Sequence, residues 1–281
     1  MIEFQLFRLK IFPPRQGNLF NNEMDRSQFL SDVVHSLPEV ELREGSIWHI
    51  GNVSAFENSA IYFRLGRTTR STIERYRNGD FIDEPFELAP YTHILVDSEL
   101  EIIAVAKKPK LSPRTKGIAR AFTKLLNESV EGIRLNVQFE IGEMSNPEEF
   151  IIQLERAYCV SRFWVQFSKP NPFDADADFV QPMQNLLRES DGRGGKTEIK
   201  GDELNPDVLQ KLSRSAAATG DNAGATLQDD QNSPKVKKNL QQNPVVIVQE
   251  DISEADDKRI LLRSMRDIYQ RIRRGGGHEQ G

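Results

Sequence analysis

The sequence predicts an α+β protein: a strand-rich N-terminal half, helices packed against it, and a long C-terminal helix. Two observations carry that expectation. Short runs of β-branched and aromatic residues crowd the first half of the chain. Apolar residues at helical spacing appear in separate segments and do not alternate regularly with strands.

Residues 3–12 set Phe4, Leu6, Phe7, Leu9 and Ile11 around Arg8 and Lys10, a strand pattern. Asp25 and Ser27 are candidate caps of a short helix that carries Phe29, Leu30, Val33, Val34 and Leu37, and Pro38 ends it. Ile47–Ile50 and Ala60–Phe63 read as strands joined by a polar loop around Glu57 and Asn58. His93–Val96 and Leu100–Ala106 read as a hairpin over Asp97-Ser98-Glu99. Ser112 and Pro113 suit the start of a helix with Ile118, Phe122, Leu125 and Leu126 on its apolar face. Strands are expected at 133–141 and 160–168, with a short helix from Pro147 between them. The turn Lys169-Pro170-Asn171-Pro172 stops the second strand, and a helix at 176–189 carries Phe179, Val180, Met183, Leu186 and Leu187.

From Ser213 to Asn243 the only large apolar residues are Leu227, Val236 and Leu240. Such a stretch is expected to stay flexible, because burial cannot offset its ordering entropy. Val245–Val248 reads as a short strand, and 254–274 as a helix with a capping-box pattern from Ser253 to Asp256, ended by Gly275-Gly276-Gly277. The chain therefore divides into four stretches. Residues 1–130 form a strand-rich α+β region with a basic helix, and 131–212 a second α+β region. Residues 213–243 form a flexible polar segment, and 244–281 a short strand with the C-terminal helix.

Composition narrows the function. The chain has 281 residues, 38% hydrophobic and 28% charged, with a net charge of −5. The one cysteine, Cys159, sits in an apolar run and reads as a buried small hydrophobe in a reducing compartment. MIEFQLFRLKIFPP has no leader pattern, and no stretch approaches the length of a membrane span, so a cytoplasmic protein without membrane insertion is expected.

Motifs for chemistry are sparse. Gly194-Gly195-Lys196-Thr197 fails as a phosphate-binding loop, since its first glycine would fall at Ser190 and it follows a helix. The histidines His35, His49, His93 and His278 are scattered with no metal-ligand spacing, so neither a metal nor a cofactor is expected. Glu198 and Lys200, with Asp191 upstream, match the trio of a metal-dependent nuclease, in which two carboxylates hold the ion and the lysine assists water. That is the enzymatic alternative.

The basic residues say more. Lys107, Lys108, Lys110, Arg114, Lys116, Arg120 and Lys124 fall in a stretch without an acid. Lys116, Arg120 and Lys124 recur every four residues, forming one stripe opposite the apolar face. The loop 107–113 is expected to bring lysines and backbone N–H groups together at the positive end of the helix, which suits a phosphate. Arg64, Arg67, Arg70, Arg75 and Arg77 form a second cluster against the single acid Glu74. The main expectation is thus a non-enzymatic protein that binds nucleic-acid backbone. Leu261, Met265, Ile268 and Ile272 on the last helix form an apolar stripe for its own core or for a homodimer. A subunit that binds a protein partner through its acidic body and this helix is a third alternative.

The order of elements resembles that of the Rex A phage-exclusion proteins of lambdoid prophages and similarly organised bacterial anti-phage proteins. The likeness runs over most of the chain. An opening strand is followed by the helix around Phe29-Leu30 and Val33-Val34. Then come the strands Ile47–Ile50 and Ile61–Phe63, the hairpin Ile94–Asp97 with Ile102–Ala104, the basic loop and helix, and the closing charged helix. The resemblance implies non-sequence-specific DNA binding, a dimer, and a role in excluding infecting phage.

Overall fold

The computed structural model describes residues 1–12, 26–57, 59–134, 136–168, 180–190 and 192–274. Asp25, the turn at 169–172, Phe179, Asp191, the glycines 275–277 and His278 lie outside them. In chain order the strands are β1 (Ile2–Phe12), β2 (Glu39–Arg43), β3 (Ser46–Phe56), β4 (Ala60–Arg77), β5 (Asp80–Leu88), β6 (Tyr91–Asp97), β7 (Ile102–Ala106), β8 (Gln138–Glu143), β9 (Cys159–Ser168), β10 (Gly194–Lys200), β11 (Ala223–Gln228), β12 (Val236–Asn239) and β13 (Val246–Gln249). The helices are α1 (Arg26–His35), α2 (Thr115–Glu128), α3 (Val130–Arg134), α4 (Glu148–Arg156), α5 (Val180–Glu189), α6 (Pro206–Thr219) and α7 (Ala255–Arg274). The fold is α+β, as the sequence predicts.

Two antiparallel sheets are present. The larger runs β13-β1-β7-β6-β4-β3-β2, with β8 on the second half of β1 and β5 on the outer half of β4. The smaller runs β10-β9-β11-β12. Alternation along β1 divides the interior into two cores. Phe7, Leu9 and Ile11 join Phe63, Ile94, Ile103, Ile118 and Phe122 beneath α1 and α2. Phe4 and Leu6 join Tyr62, Leu95, Phe163, Leu212, Leu261 and Met265, where α6, α7 and the small sheet close the other face. Both faces of the large sheet are therefore covered over its centre, which explains why its central strands read as nearly continuous apolar runs.

Strand pairing crosses every boundary drawn from composition. β8 and β13 both pair with β1, and β11 pairs with β9. The expected flexible segment 213–243 is instead ordered: it holds the second half of α6, β11 and β12. Asn205 caps α6, its side-chain oxygen accepting from the Asp207 N–H at 2.9 Å, and Gly220 ends it at φ +67°. Ser213, Ala216, Ala217, Ala218, Ala223 and Ala225 are buried. Small side chains thus do the packing that a count of large ones misses. They let α6 come close to the sheets, and a side chain at Gly142 would meet the Gly220 carbonyl at 2.6 Å.

The stretch expected as a strand at 133–141 begins as helix α3, and β8 starts only at Gln138. Cys159 is half-buried at the head of β9, not fully buried. Among the described residues no helix is long and apolar enough to cross a membrane.

Candidate nucleic-acid interface

The loop 107–114 carries the chain over one end of the large sheet, from β7 to α2. β4 passes the same end, and cross-strand register sets Arg64 beside His93 and Gly66 beside Tyr91. The two basic clusters, far apart in sequence, therefore meet. The Arg64 guanidinium lies over the Tyr91 ring, 4.5 Å from its centroid, and the Lys108 ammonium lies 5.8 Å from the same centroid. On the other face of the sheet, Arg67 donates to the Lys110 carbonyl at 3.4 Å. From α7, Lys258 stands 4.5 Å over the Tyr62 ring. Tyr62 in turn shares a 2.7 Å hydrogen bond with His93 Nδ1. The result is a cationic belt with Tyr62, Tyr91 and His93 inside it. Burial holds the His93 pKa below its ordinary value, and the charges of Arg64, Lys108 and Lys258 push it the same way, against Asp251.

The remaining predicted cations sort by their partners. Lys107 pairs with Glu3 at 3.0 Å and Lys116 with Glu143 at 3.0 Å. The Lys110, Arg114, Arg120 and Lys124 side chains have no ion pair among the described residues. Helix α2 holds its exposed stripe in place through Asn127. Its amide donates to the Phe139 carbonyl at 2.9 Å and accepts from the Phe139 N–H at 2.7 Å, clamping α2 to β8. At the start of α2 the capping geometry is plain. Arg114 is the capping residue and makes no side-chain cap bond. Its carbonyl takes the Gly117 N–H at 2.8 Å, and Ser112 folds over Gly117.

Arg70 lies farther out, on the hairpin of β4 and β5, opposite Glu87. There the second cluster is neutralised by a strand the sequence reading did not assign: β5 brings Asp80, Asp83, Glu84 and Glu87. Glu84 bridges Arg75 at 3.0 Å and Arg77 at 2.9 Å.

The apolar stripe of α7 packs within the chain. Leu261, Met265 and Ile272 are buried in the chain's own core, and Ile268 packs against it. The stripe thus serves the chain's own core, the first of the two roles the sequence offered it. Arg266 is likewise engaged within the chain, donating to Asp97 at 2.6 Å and to Ser59 at 2.9 Å.

Glu198 and Lys200 sit on the exposed face of the small sheet. Lys200 at 3.2 Å and Arg162 at 3.5 Å flank the Glu198 carboxylate and hold its pKa below the usual range. Lys200 is therefore an ion-pair partner of Glu198. Among the described residues no three His, Cys, Asp or Glu side chains cluster as metal ligands.

Sequence reading missed Tyr62, Tyr91, His93 and Lys258 as parts of the belt. Tyr91 and His93 share one face of a strand, a detectable signal. Lys258 arrives from the far end of the chain, and only the tertiary fold shows its place. No protein-family model matches the chain, and a search of curated proteins finds no significant match.

Proposed function

We propose that the chain binds the phosphate backbone of nucleic acid through the belt over the end of the large sheet and the exposed stripe of α2. The observation that carries this reading is the convergence of Arg64 and Lys108 on Tyr91, beside four cations without ion pairs among the described residues, in a protein whose net charge is −5. Solubility does not require unpaired cations grouped in this way, whereas a polyanion does. Phosphate contacts position a protein without reading bases, so little sequence preference is expected.

Titrating labelled duplex DNA against the protein across a salt series tests the reading. Three to five phosphate contacts give a log–log slope of roughly −3 to −5. Lys110, Arg120 and Lys124 changed together to Ala are expected to flatten it by about two to three units. Absence of binding at low salt, or a slope unmoved by the triple change, would refute the proposal. The Rex A-like order of elements adds a proposed setting in a cell, the exclusion of infecting phage. Plaque counts on cells carrying the wild-type or the triple variant test that setting separately.

A further inference from the structure

The small sheet packs one face on the interior and turns the other outward. Along β9, Val160, Phe163 and Val165 are buried, while Arg162, Trp164 and Gln166 belong to the outer face. Register completes that face. β10 sets Lys200 beside Arg162, Glu198 beside Trp164 and Lys196 beside Gln166. β11 sets Thr226 beside Arg162 and Gly224 beside Trp164, and β12 sets Lys237 beside Thr226 and Asn239 beside Gly224.

Trp164 is the centre of this surface. A side chain at Gly224 would stand 2.6 Å from its Cε2 and 2.7 Å from its Cζ2, so the missing side chain is what seats the indole on β11. The Lys196 ammonium lies over the ring, 4.2 Å from its centroid. Two residues along β9, a trough of about 510 Å³ opens, lined by Arg162, Lys200, Thr226, Lys235 and Lys237, with Asp202 at its side. The face thus gathers Arg162, Lys196, Lys200, Lys235 and Lys237 around two carboxylates, Glu198 and Asp202, one of which Arg162 and Lys200 already flank.

We infer that this face binds single-stranded nucleic acid, with an unpaired base stacked on Trp164 and the adjoining phosphates on the lysines and Arg162. A partly exposed aromatic ring set among cations on a sheet face answers to a ligand that alternates π-faces with negative charge. A duplex hides its base faces and cannot stack on the indole. Lys196, which now occupies the ring, is free to swing to a phosphate when a base takes its place. Gln166 and Asn239 flank the ring with amide groups for base edges. The site is separate from the belt, since it uses neither α2 nor the loop 107–114.

Trp164 also supplies the readout, because the only other tryptophan, Trp48, is 7% exposed and lies in the core under α1 and α2. In the full chain, oligothymidylate and oligouridylate of about a dozen nucleotides should quench Trp164 fluorescence saturably. Trp164→Ala should weaken their binding roughly ten-fold, with the salt slope nearly kept, and Trp164→Phe should restore most of the affinity. Lys200→Ala with Lys237→Ala should flatten the slope by about 1.4 units, at roughly 0.7 per contact on a single strand. The Lys110, Arg120, Lys124 triple change should leave the quench intact, so failure here is distinguishable from failure of the duplex proposal. Equal binding by wild type and Trp164→Ala, equal quenching by a duplex of the same length, or equal quenching by polyglutamate would each overturn the inference.

Discussion

Cations in this chain occupy two kinds of place, and β1 and the 107–124 stretch show the contrast. On β1, Arg8 and Lys10 are buried. Arg8 donates to the Leu100 carbonyl at 2.6 Å and to the Tyr269 hydroxyl at 3.0 Å, and lies 3.8 Å from Glu101, joining the sheet to α7. Lys10 donates to Ser168 at 2.6 Å and to Asp221 at 2.7 Å, joining β1 to β9 and the end of α6. Asp221 also accepts from Thr219 at 2.9 Å. These charges are held inside the chain by buried partners and fix how the layers meet. Between Lys107 and Lys124 the cations are mostly exposed, and several have no anionic partner among the described residues. A local count of charges does not separate the two cases; the presence or absence of a buried counter-charge does.

The sharpest test of the contrast removes one buried charge. Lys10→Met leaves the Asp221 carboxylate close to buried without its cation, and breaking such a pair is expected to cost about 3–5 kcal/mol. Urea unfolding followed by circular dichroism measures it. A loss below about 1 kcal/mol, the range of exposed pairs, would move Lys10 into the same class as the surface cations.

Met265→Ala comes next, at about 2–5 kcal/mol, because the side chain is fully buried in the core shared by α7 and both sheets. The same variant in light scattering should show an oligomeric state equal to wild type. A stable protein that changes its oligomeric state would return the α7 stripe to an interface role.

Much of the fold was legible because periodicity and burial agree. β1, β6, β7, α2 and α7 were all readable, since their apolar residues are large and face a single core or a covered sheet. What escaped has identifiable causes. α6 buries alanines, so its core face carries little hydrophobic signal even though Asn205, Pro206 and Gly220 mark both its ends. β5 is acidic and solvent-facing, and pairs with β4. That pairing also explains why the second arginine cluster looked uncompensated, since its acids sit on the returning strand. In the belt, Arg64 and Lys108 were legible as charges. Their meeting at Tyr91 depends on strand register, and Lys258 depends on where α7 docks.

On the exposed side of the contrast, the effect on stability should be small. Lys110, Arg120 and Lys124 changed to Ala are expected to shift unfolding by no more than about 0.5 kcal/mol while altering the salt slope of DNA binding. A clear destabilisation would mean that these side chains carry structure, as Arg8 and Lys10 do.

The smallest effect belongs to His93, which stands between the two classes, half-buried and ringed by cations. Its folded pKa lies below the 6.5 of an ordinary histidine, through burial first and then Arg64, Lys108 and Lys258, with Asp251 opposing. Between that lowered value and 6.5 the unfolded chain holds more protons than the folded one, so stability rises with pH across this window. Stability should therefore fall as the solution is acidified through 6.5, and His93→Gln should reduce that slope. Bound phosphates would act in the opposite sense, since their negative charge offsets Arg64, Lys108 and Lys258 and favours the protonated ring. An NMR titration of the His93 ring, without and with duplex DNA, is expected to show a pKa below 6.5 that moves upward on binding. A ring that titrates at the same pH in both states would place the bound phosphates away from Arg64 and Lys108, leaving the α2 stripe as the contact surface.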